Sequence, residues 1–216
     1  MLKKTNIIWN YFQKYCLPPL CSNCNKRVGY LCQICTQQLT FTINHSRIAN
    51  CNHYYFSNYT PLLKTIIKAI KYDNYKQALR PIYNHLNQNP RIQSLLKQYD
   101  IWIPIPYHPN KLYQRGYNII ETMFKPIFDQ NNVPIQYNLE RKKNTNPLAK
   151  LSKVNRKKTL KNAFKIKQKQ KTNKKNLKIA LVDDIVTTQT SMKECINILQ
   201  ETYSIDKLDC ISLIKA

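Results

Sequence analysis

The apolar positions of the chain follow two different periods. After Thr60 they recur at helical spacing through Ile70, which predicts an amphipathic helix with a Thr-Pro start. Short, almost wholly apolar runs around Trp102 and from Ile179 to Val182 instead predict strands buried on both faces. A further apolar run, "KLDCISLIK", predicts one more strand. Buried strands separated by amphipathic helices indicate an α/β fold, with a parallel sheet flanked by helices.

Cysteines are concentrated early in the chain, where six of the eight precede residue 52. The core of this cluster, "CSNCNKRVGYLCQIC", holds two C-x-x-C pairs, a spacing that lets four thiolates meet around one tetrahedral zinc ion. Buried or redox-active thiols are the alternative, but the doubled pair favours metal. Four thiolates leave no open coordination position, so the predicted role of the zinc is structural. The predicted ligands are Cys21, Cys24, Cys32 and Cys35, with Cys16, Cys51 and His53 near enough in sequence to compete.

The chain changes character after the cysteines, which predicts two domains. Residues 1–58 are expected to form an N-terminal helix and the zinc-binding element, and residues 59–216 the larger domain. No apolar run approaches the roughly 20 residues that a membrane span needs. No signal peptide is recognisable, so we expect a cytoplasmic protein with reduced thiols.

The net charge is strongly positive, because 35 Lys and Arg against 11 Asp and Glu give a formal +24. Such a surface attracts nucleic acid, acidic lipid or phosphorylated small molecules. A chain rich in Lys, Asn and Ile can also reflect a biased nucleotide composition, which limits the weight of charge alone. The basic residues are densest in segment 141–178, which contains no acid. The predicted nucleic-acid contacts within this basic segment are Lys142, Lys143, Arg156, Lys157 and Lys158.

The stretch "KIALVDDIVTTQTSM" combines a buried strand, two acids and a hydroxyl-rich turn. Asp183 and Asp184 come at the carboxyl end of the strand, where open α/β sheets bind ligands. The turn leads into a helix, whose first backbone N–H groups attract phosphate together with the neighbouring hydroxyls. Carboxylates repel phosphate, so they must contact another part of the ligand, and the two hydroxyls of a ribose fit them. The stretch therefore predicts a sugar-phosphate site, with phosphate-binding hydroxyls from Thr187, Thr188, Thr190 and Ser191.

A second candidate anion contact lies in "RGYN", where Arg115 precedes one of the two glycines of the chain. Because glycine is so rare here, we expect Gly116 to mark a position where a side chain does not fit. Arg115 would then stand just before a helix N-terminus, where phosphate is readily bound. A surface arginine in a turn is an equally good interpretation.

The acid-and-hydroxyl stretch resembles the phosphoribosyl pyrophosphate-binding motif of type I phosphoribosyltransferases. A receiver-type acid pocket is the main alternative, but it does not need the Thr-Thr-x-Thr-Ser run. Three blocks of the chain are similar, in content and order, to the signature blocks of the ComF family of competence-associated proteins. That family joins a cysteine-rich zinc element to a phosphoribosyltransferase-like domain. The three blocks are "IPIPYHPNKLYQRGYN", "RKKNTNPLAKLSKVNRKKTLKNAF" and "IALVDDIVTTQTSM".

The resemblance implies roles for individual residues. Asp183 and Asp184 would hold the ribose. Arg115 and the proline-rich loop that contains His108 would face a pyrophosphate, which arrives with Mg²⁺. The 5′-phosphate would lie in the turn formed by Thr187, Thr188, Gln189, Thr190 and Ser191.

The chain departs from the family pattern at several positions. Gln189 stands where the family usually has glycine, and Ser191 where it usually has threonine. If the backbone at residue 189 needs a positive φ, a glutamine there costs roughly 1–2 kcal/mol. Ile119 replaces a usual glutamine, and a second cysteine pair of the family is reduced here to Cys51. The changes at Gln189, Ser191 and Ile119 predict weaker ligand binding, whereas the altered cysteine pair leaves the predicted metal site intact.

Two functions follow from the resemblance. The one we favour is a DNA-uptake factor for natural transformation, which binds single-stranded DNA and carries a phosphoribosyl pyrophosphate pocket. Its further partners would be DNA-uptake proteins at the inner face of the membrane. The alternative is a phosphoribosyltransferase of nucleotide salvage, which joins a nucleobase to phosphoribosyl pyrophosphate. No segment after Lys178 supplies a clear base-binding pocket, and the sequence leaves open whether the protein is an enzyme.

Overall fold

The computed structural model describes residues 17–18, 20–29, 31–73, 75–130, 132, 134–142, 163–167 and 176–216. The chain divides into two compact units. The smaller unit comprises Met1–Thr40 and Thr60–Ile82, and the larger unit Phe41–Tyr59 and Tyr83–Ala216. Most of the basic segment therefore lies outside the described residues, including the predicted nucleic-acid contacts Lys143, Arg156, Lys157 and Lys158.

The smaller unit contains the cysteine cluster and an amphipathic helix. Helix α1 (Gln33–Gln37) is short, and helix α2 (Pro61–Tyr72) is followed by a 3₁₀ turn at Lys76–Ala78. The predicted start of α2 is confirmed, because the Thr60 hydroxyl accepts a hydrogen bond from the Leu63 N–H at 3.2 Å. The predicted apolar face is buried and consists of Leu63, Ile66, Ile67, Ala69 and Ile70.

The rest of the described chain consists of seven strands and five further helices. The strands are β1 (Asn44–Ile48), β2 (Cys51–Asn58), β3 (Ile101–Pro104), β4 (Leu139–Arg141), β5 (Phe164–Ile166), β6 (Leu177–Val186) and β7 (Ile205–Lys215). The remaining helices are α3 (Leu79–Gln88), α4 (Pro90–Leu96), α5 (Pro109–Arg115), α6 (Ile119–Gln130) and α7 (Thr190–Thr202).

Five strands form a mostly parallel sheet in the order β1-β2-β7-β6-β3. Only β1 and β2 pair antiparallel, whereas β2–β7, β7–β6 and β6–β3 are parallel. Strands β4 and β5 form a separate antiparallel pair. The predicted fold class is confirmed, since this is an α/β protein whose central sheet is mostly parallel and flanked by helices.

Both faces of the sheet are covered, as the unbroken apolar run of β6 predicted. One face forms a core in which Leu181 and Cys210 of the sheet pack with Ile196 of α7. Successive strand residues point to opposite faces, so Trp102 of β3 lies on the other side from its neighbour Ile103. There its ring centroid stands 4.4 Å from that of Phe128 on α6. Aromatic packing against α6 thus seals the second face.

Several local predictions are corrected by the structure. Strand β6 continues two residues past the acid pair to Val186, so the turn begins later than predicted, while Asp183 and Asp184 lie within the last four residues of the strand. The proline-rich stretch after β3, predicted as a rigid loop, becomes helical at α5. The predicted boundary at residue 58 stays a prediction, and β1 and β2 lie in the five-stranded sheet. Within the described part of the chain, no helix combines the length and apolar character that crossing a bilayer requires.

Candidate metal centre and ligand site

Four cysteines of the smaller unit lie together. Cys21, Cys32 and Cys35 are buried, whereas Cys24 is exposed. Their four sulfur atoms all lie within 4.8 Å of one another, and the Cys24 and Cys32 sulfurs are 3.5 Å apart. Four thiol ligands at this spacing can hold one metal ion of the kind that prefers tetrahedral sulfur coordination.

Local hydrogen bonds position these sulfurs. Cys32 caps α1, because its sulfur accepts a hydrogen bond from the Cys35 N–H at 3.4 Å. The Cys32 N–H in turn donates to the Cys21 sulfur, also at 3.4 Å. Burial is the largest influence on the pKa of Cys21 and raises it, but backbone N–H donors, that of Cys24 foremost, outweigh burial and lower the pKa to about 6. Cys35 shifts the other way: a hydrogen bond from Asn23 lowers its pKa, but burial and the neighbouring cysteines outweigh that bond and raise the pKa to about 12. Binding of a metal would release the protons that such thiols still hold.

The competing ligands considered from the sequence lie elsewhere. Cys51 is in β2, inside the hydrophobic core of the sheet, and burial raises its pKa to about 11. His53, on the same strand, is fully buried. Both of its ring nitrogens are hydrogen-bonded, Nε2 to the Ser212 hydroxyl at 2.9 Å and Nδ1 to the Ser46 hydroxyl at 3.1 Å. Neither residue joins the four-cysteine group. Cys16 lies outside the described residues.

The two acids of β6 stand near the carboxyl end of the parallel strands. Asp183 pairs in register with Ser212 of β7, and Pro104 at the end of β3 pairs with Val182. Asp184 is only 3% exposed. The Asp183 carboxylate accepts a hydrogen bond from the Asp184 N–H at 2.8 Å, and the Asp184 carboxylate accepts one from the Ile185 N–H at 2.8 Å. These bonds fix both carboxylates at the edge of the sheet where α/β proteins bind ligands.

The turn after β6 adopts a left-handed backbone at Gln189, with φ 59° and ψ −2°. The positive φ considered from the sequence is therefore present, in a residue other than glycine. The next residue, Thr190, begins α7, and its hydroxyl donates to the backbone oxygen of Thr188 at 3.3 Å. The cap residue makes no side-chain bond to the helix, so the first N–H groups of α7 are not covered by its side chain. A 13-residue helix that begins this way is suited to an anion.

The segment after β3 brings Tyr107 and Arg115 to the acids. The Ile105 N–H donates to the Val182 oxygen at 2.8 Å, which ties this segment to β6 just before the acid pair. The Arg115 guanidinium lies over the Tyr107 ring, with its carbon 5.0 Å from the ring centroid. Burial raises the pKa of Tyr107 well above its usual value, and Asp184 and Asp183 raise it further, whereas Arg115 opposes them. Tyr107 is therefore a neutral phenol between a guanidinium and two carboxylates.

Sequence reasoning missed Tyr107, although one signal was available. It comes three residues after an apolar strand that was predicted to be buried, so it had to emerge at an edge of the sheet. It missed Arg141 as an individual residue as well. Arg141 ends β4, and although burial lowers its pKa most, the nearby Asp183 acts in the opposite direction. Arg141 thus adds a second positive charge near the acids.

The structure also shows where the other predicted site residues lie and what they contact. The His108 ring caps α5 by accepting a hydrogen bond from the Asn110 N–H at 3.2 Å. Arg115 is the last residue of α5 rather than the residue before a helix start, and Asn118 is the residue that caps α6. Gly116 has open space around it, so the expected steric conflict is absent, and its φ of +75° is the reason for glycine. Lys142 is exposed.

The fold and the two sites define an α/β protein with a four-cysteine element that could hold a metal ion. No protein-family model matches the chain. Against curated proteins, the chain is 26% identical over 188 residues to "Competence protein F" of Haemophilus influenzae, with 85% of this chain and 79% of that protein covered. This similarity confirms the resemblance to the ComF family predicted from the sequence.

Among solved structures, the chain is similar to the UMP synthase of Leishmania donovani. The two share 17% sequence identity with a TM-score of 0.27, and the match covers 62% of this chain and 24% of that one. The chain therefore spans about a quarter of the length of that protein. The likeness is too weak to support a statement about function.

Proposed function

We propose that this chain is a DNA-uptake factor of the ComF type, which binds single-stranded DNA and holds phosphoribosyl pyrophosphate at the carboxyl end of β6. The similarity to a protein named Competence protein F supports the process. The geometry around Asp183, Asp184 and Gln189 supports the ligand. The first observation concerns ancestry and the second concerns chemistry, so each is tested separately.

The single observation that carries the ligand is the backbone of the turn at Gln189. A left-handed residue there costs roughly 1–2 kcal/mol, and such strain persists where the surrounding structure requires it. Here the left-handed residue allows α7 to start at Thr190, one short turn after the strand that carries the two carboxylates. A ribose 5-phosphate fits both the acid pair and the turn, because its hydroxyls would donate to Asp183 and Asp184 while its phosphate would accept from the turn. The turn residues proposed for the phosphate are Thr187, Thr188, Gln189, Thr190 and Ser191.

The pyrophosphate of the same ligand would lie towards Arg115 and His108. Two atoms of Arg115, Nε and Nη1, are buried without a hydrogen-bond partner among the described residues. A buried cation with unused donors favours an anionic ligand, because leaving such donors unpaired is costly. Mg²⁺ would accompany the pyrophosphate and neutralise part of its charge.

Binding of phosphoribosyl pyrophosphate is measured by calorimetry with Mg²⁺ present. The double variant Asp183→Asn, Asp184→Asn removes both charged acceptors of the ribose hydroxyls, and we expect at least a hundredfold weaker binding, or about 1.5–3 kcal/mol for each charged hydrogen bond. Asp206→Asn is the matched control, since this acid is exposed at the other end of β7. Equal affinity of the double variant and the control would overturn the proposed ligand.

Single-stranded DNA would bind through the basic segment 141–178. The formal charge of +24 supplies the attraction, and exposed Lys142 marks the described start of that surface. The Lys142 N–H donates to the Ala163 oxygen at 2.8 Å, so these two described residues lie beside each other. The contacts proposed for DNA are Lys142, Lys143, Arg156, Lys157 and Lys158.

The DNA proposal predicts a strong dependence on salt. If six basic residues contact phosphates of one strand, the logarithm of affinity falls with the logarithm of salt with a slope of about −4. Raising salt fourfold would then weaken binding on the order of several hundredfold. Fluorescence anisotropy with a labelled oligonucleotide at two salt concentrations measures this slope. An affinity that ignores salt would exclude the basic segment as the contact.

The metal of the four-cysteine group is proposed to be zinc. Four thiolates match its preferred ligands, and a closed sulfur site leaves no position for a substrate. The zinc would hold the ends of the element together rather than act on DNA or on the sugar. Mass spectrometry of the native protein would show one zinc per chain, and a chain folded without metal would contradict this role.

A phosphoribosyltransferase acting on a nucleobase is the alternative function. The observation in its favour is the same acid-and-turn site, which would hold the donor substrate of that reaction. The residues would then bind and orient the ribose while the pyrophosphate departs. Release of pyrophosphate in the presence of phosphoribosyl pyrophosphate, Mg²⁺ and any common base would establish the enzyme and displace DNA uptake as the primary function.

A further inference from the structure

Three buried donor atoms lie beside the β6 acids. The Nε and Nη1 atoms of Arg115 have no hydrogen-bond partner among the described residues. The third is the Tyr107 hydroxyl, which faces Asp184 but makes no well-aligned hydrogen bond to it. The guanidinium and the ring are stacked at 5.0 Å, so these donors belong to one cluster. Unpaired buried donors are rare in native proteins, because each loses its hydrogen bonds to water without replacement. A cluster of three indicates a site completed by an oxygen-rich ligand.

The Tyr107 hydroxyl is distinguished from the Arg115 donors by its neighbours. Asp184 and Asp183 are the charges that act on it most strongly, which places the phenol on the acid side of the cluster. A phenol between carboxylates keeps its proton and acts as a donor. A sugar hydroxyl that donates its own proton to Asp184 leaves its oxygen free to accept one. The phenol supplies that missing donor.

We propose that Tyr107 contacts the ribose and donates a hydrogen bond to the hydroxyl oxygen whose proton is accepted by Asp184. This inference rests on the proposed sugar-phosphate site and adds to it a residue that specifies the sugar. The acids alone would accept hydrogen bonds from any two neighbouring donors. With Tyr107 present, one sugar hydroxyl both donates to Asp184 and accepts from the phenol, and a sugar without that hydroxyl loses both bonds. Tyr107 therefore adds to the selectivity of the site for ribose over a deoxyribose.

The test compares three sugars on two variants of the full, metal-loaded chain. Calorimetry measures ribose 5-phosphate, 2-deoxyribose 5-phosphate and 3-deoxyribose 5-phosphate binding to the wild type, to Tyr107→Phe and to Tyr113→Phe. Tyr113 is 90% exposed on α5 and is the matched control for losing a phenol. We expect Tyr107→Phe to weaken ribose 5-phosphate binding about three- to tenfold, the usual worth of one neutral hydrogen bond. One of the two deoxy sugars lacks the contacted hydroxyl. We expect that sugar to bind the wild type and Tyr107→Phe with equal affinity.

Thermal unfolding supplies a second readout. Tyr107→Phe keeps the packed ring and removes at most one neutral hydrogen bond from the free chain, so we expect it to stay folded and to melt within about 2–4 °C of the wild type. An equal loss of affinity for all three sugars, or no loss for any, would overturn the role of Tyr107 and leave the sugar-phosphate site standing. A wild-type chain that binds none of the sugar phosphates, including phosphoribosyl pyrophosphate, would overturn the site itself and this inference with it.

Discussion

The four-cysteine element and the β6 ligand site are built in opposite ways. The cysteines come from fifteen consecutive residues, and their buried cluster contains little apolar material besides Leu31. The ligand site collects Tyr107, Arg115 and Asp184 from separate segments on a sheet whose core is buried on both faces. We expect the first to depend on a metal for its shape and the second to depend on the packing behind it. The two should therefore fail under different treatments.

Removing a metal ligand should have the largest effect. Cys32→Ser deletes a buried sulfur that both caps α1 and lies 3.5 Å from the Cys24 sulfur. Metal binding supplies on the order of 10 kcal/mol to elements of this type, so we expect the cysteine element to lose its zinc and unfold. Zinc content by mass spectrometry and protease cleavage within residues 20–40 check this outcome.

Cys51→Ala is the matched control for the cysteine prediction. This thiol is buried in the core of the sheet and stands apart from the four-cysteine group. We expect the variant to keep one zinc per chain and to lose only a modest part of its stability through a small cavity. Loss of zinc from Cys51→Ala, or its retention by Cys32→Ser, would contradict the proposed ligand set.

Acid should weaken the sheet through His53. Burial is the main cause that lowers the pKa of His53 to about 4, with Lys215 adding to it. In the unfolded chain the pKa returns to about 6.5, so the stabilisation by neutral His53 is present above pH 6.5 and is lost as the pH falls towards 4. Between pH 7 and pH 5 we expect a loss on the order of 2 kcal/mol, measured by urea unfolding.

A variant pair isolates this contribution. His53→Gln can still bond to Ser46 and Ser212 but does not titrate, so its stability should change less between pH 7 and pH 5 than that of the wild type. His85→Gln is the control, because His85 lies on α3 with its ring centroid 5.9 Å from that of Phe41 and is not among the groups that shift the pKa of His53. The proposed origin of the acid sensitivity is wrong if His85→Gln removes it and His53→Gln does not.

The contrast between the two regions also explains what the sequence could predict. The cysteine ligands are neighbours in the chain, so their spacing alone identifies them. The position of Asp183 and Asp184 near the carboxyl end of β6 could be predicted because strand, acids and turn are consecutive, and even the positive φ of Gln189 was considered from its position in the pattern.

Tyr107 and Arg141 were missed, because only the pairing of β3 with β6 and the position of β4 bring them to the acids. The place of Tyr107 after a buried strand signals an edge of the sheet, but no local pattern shows that the edge also holds Asp183 and Asp184. The reason for Gly116 was also misjudged. A rare glycine signals either crowding or a positive φ, and a sequence cannot separate the two, whereas the structure shows open space and a φ of +75°.

The smallest predicted effect concerns the turn that links the ligand site to its helix. Gln189→Gly removes the strain of a left-handed residue, worth roughly 1–2 kcal/mol, but adds chain entropy to the unfolded state, worth about 0.4–1 kcal/mol. We expect a net gain in stability of about 1 kcal/mol or less, measured by urea unfolding. Thr188→Gly is the matched control, since Thr188 lies in the same turn without a positive φ and should be destabilised by the substitution. If both variants lose stability equally, the left-handed backbone at Gln189 carries no strain. The strain argument for the proposed phosphate-binding turn would then fail.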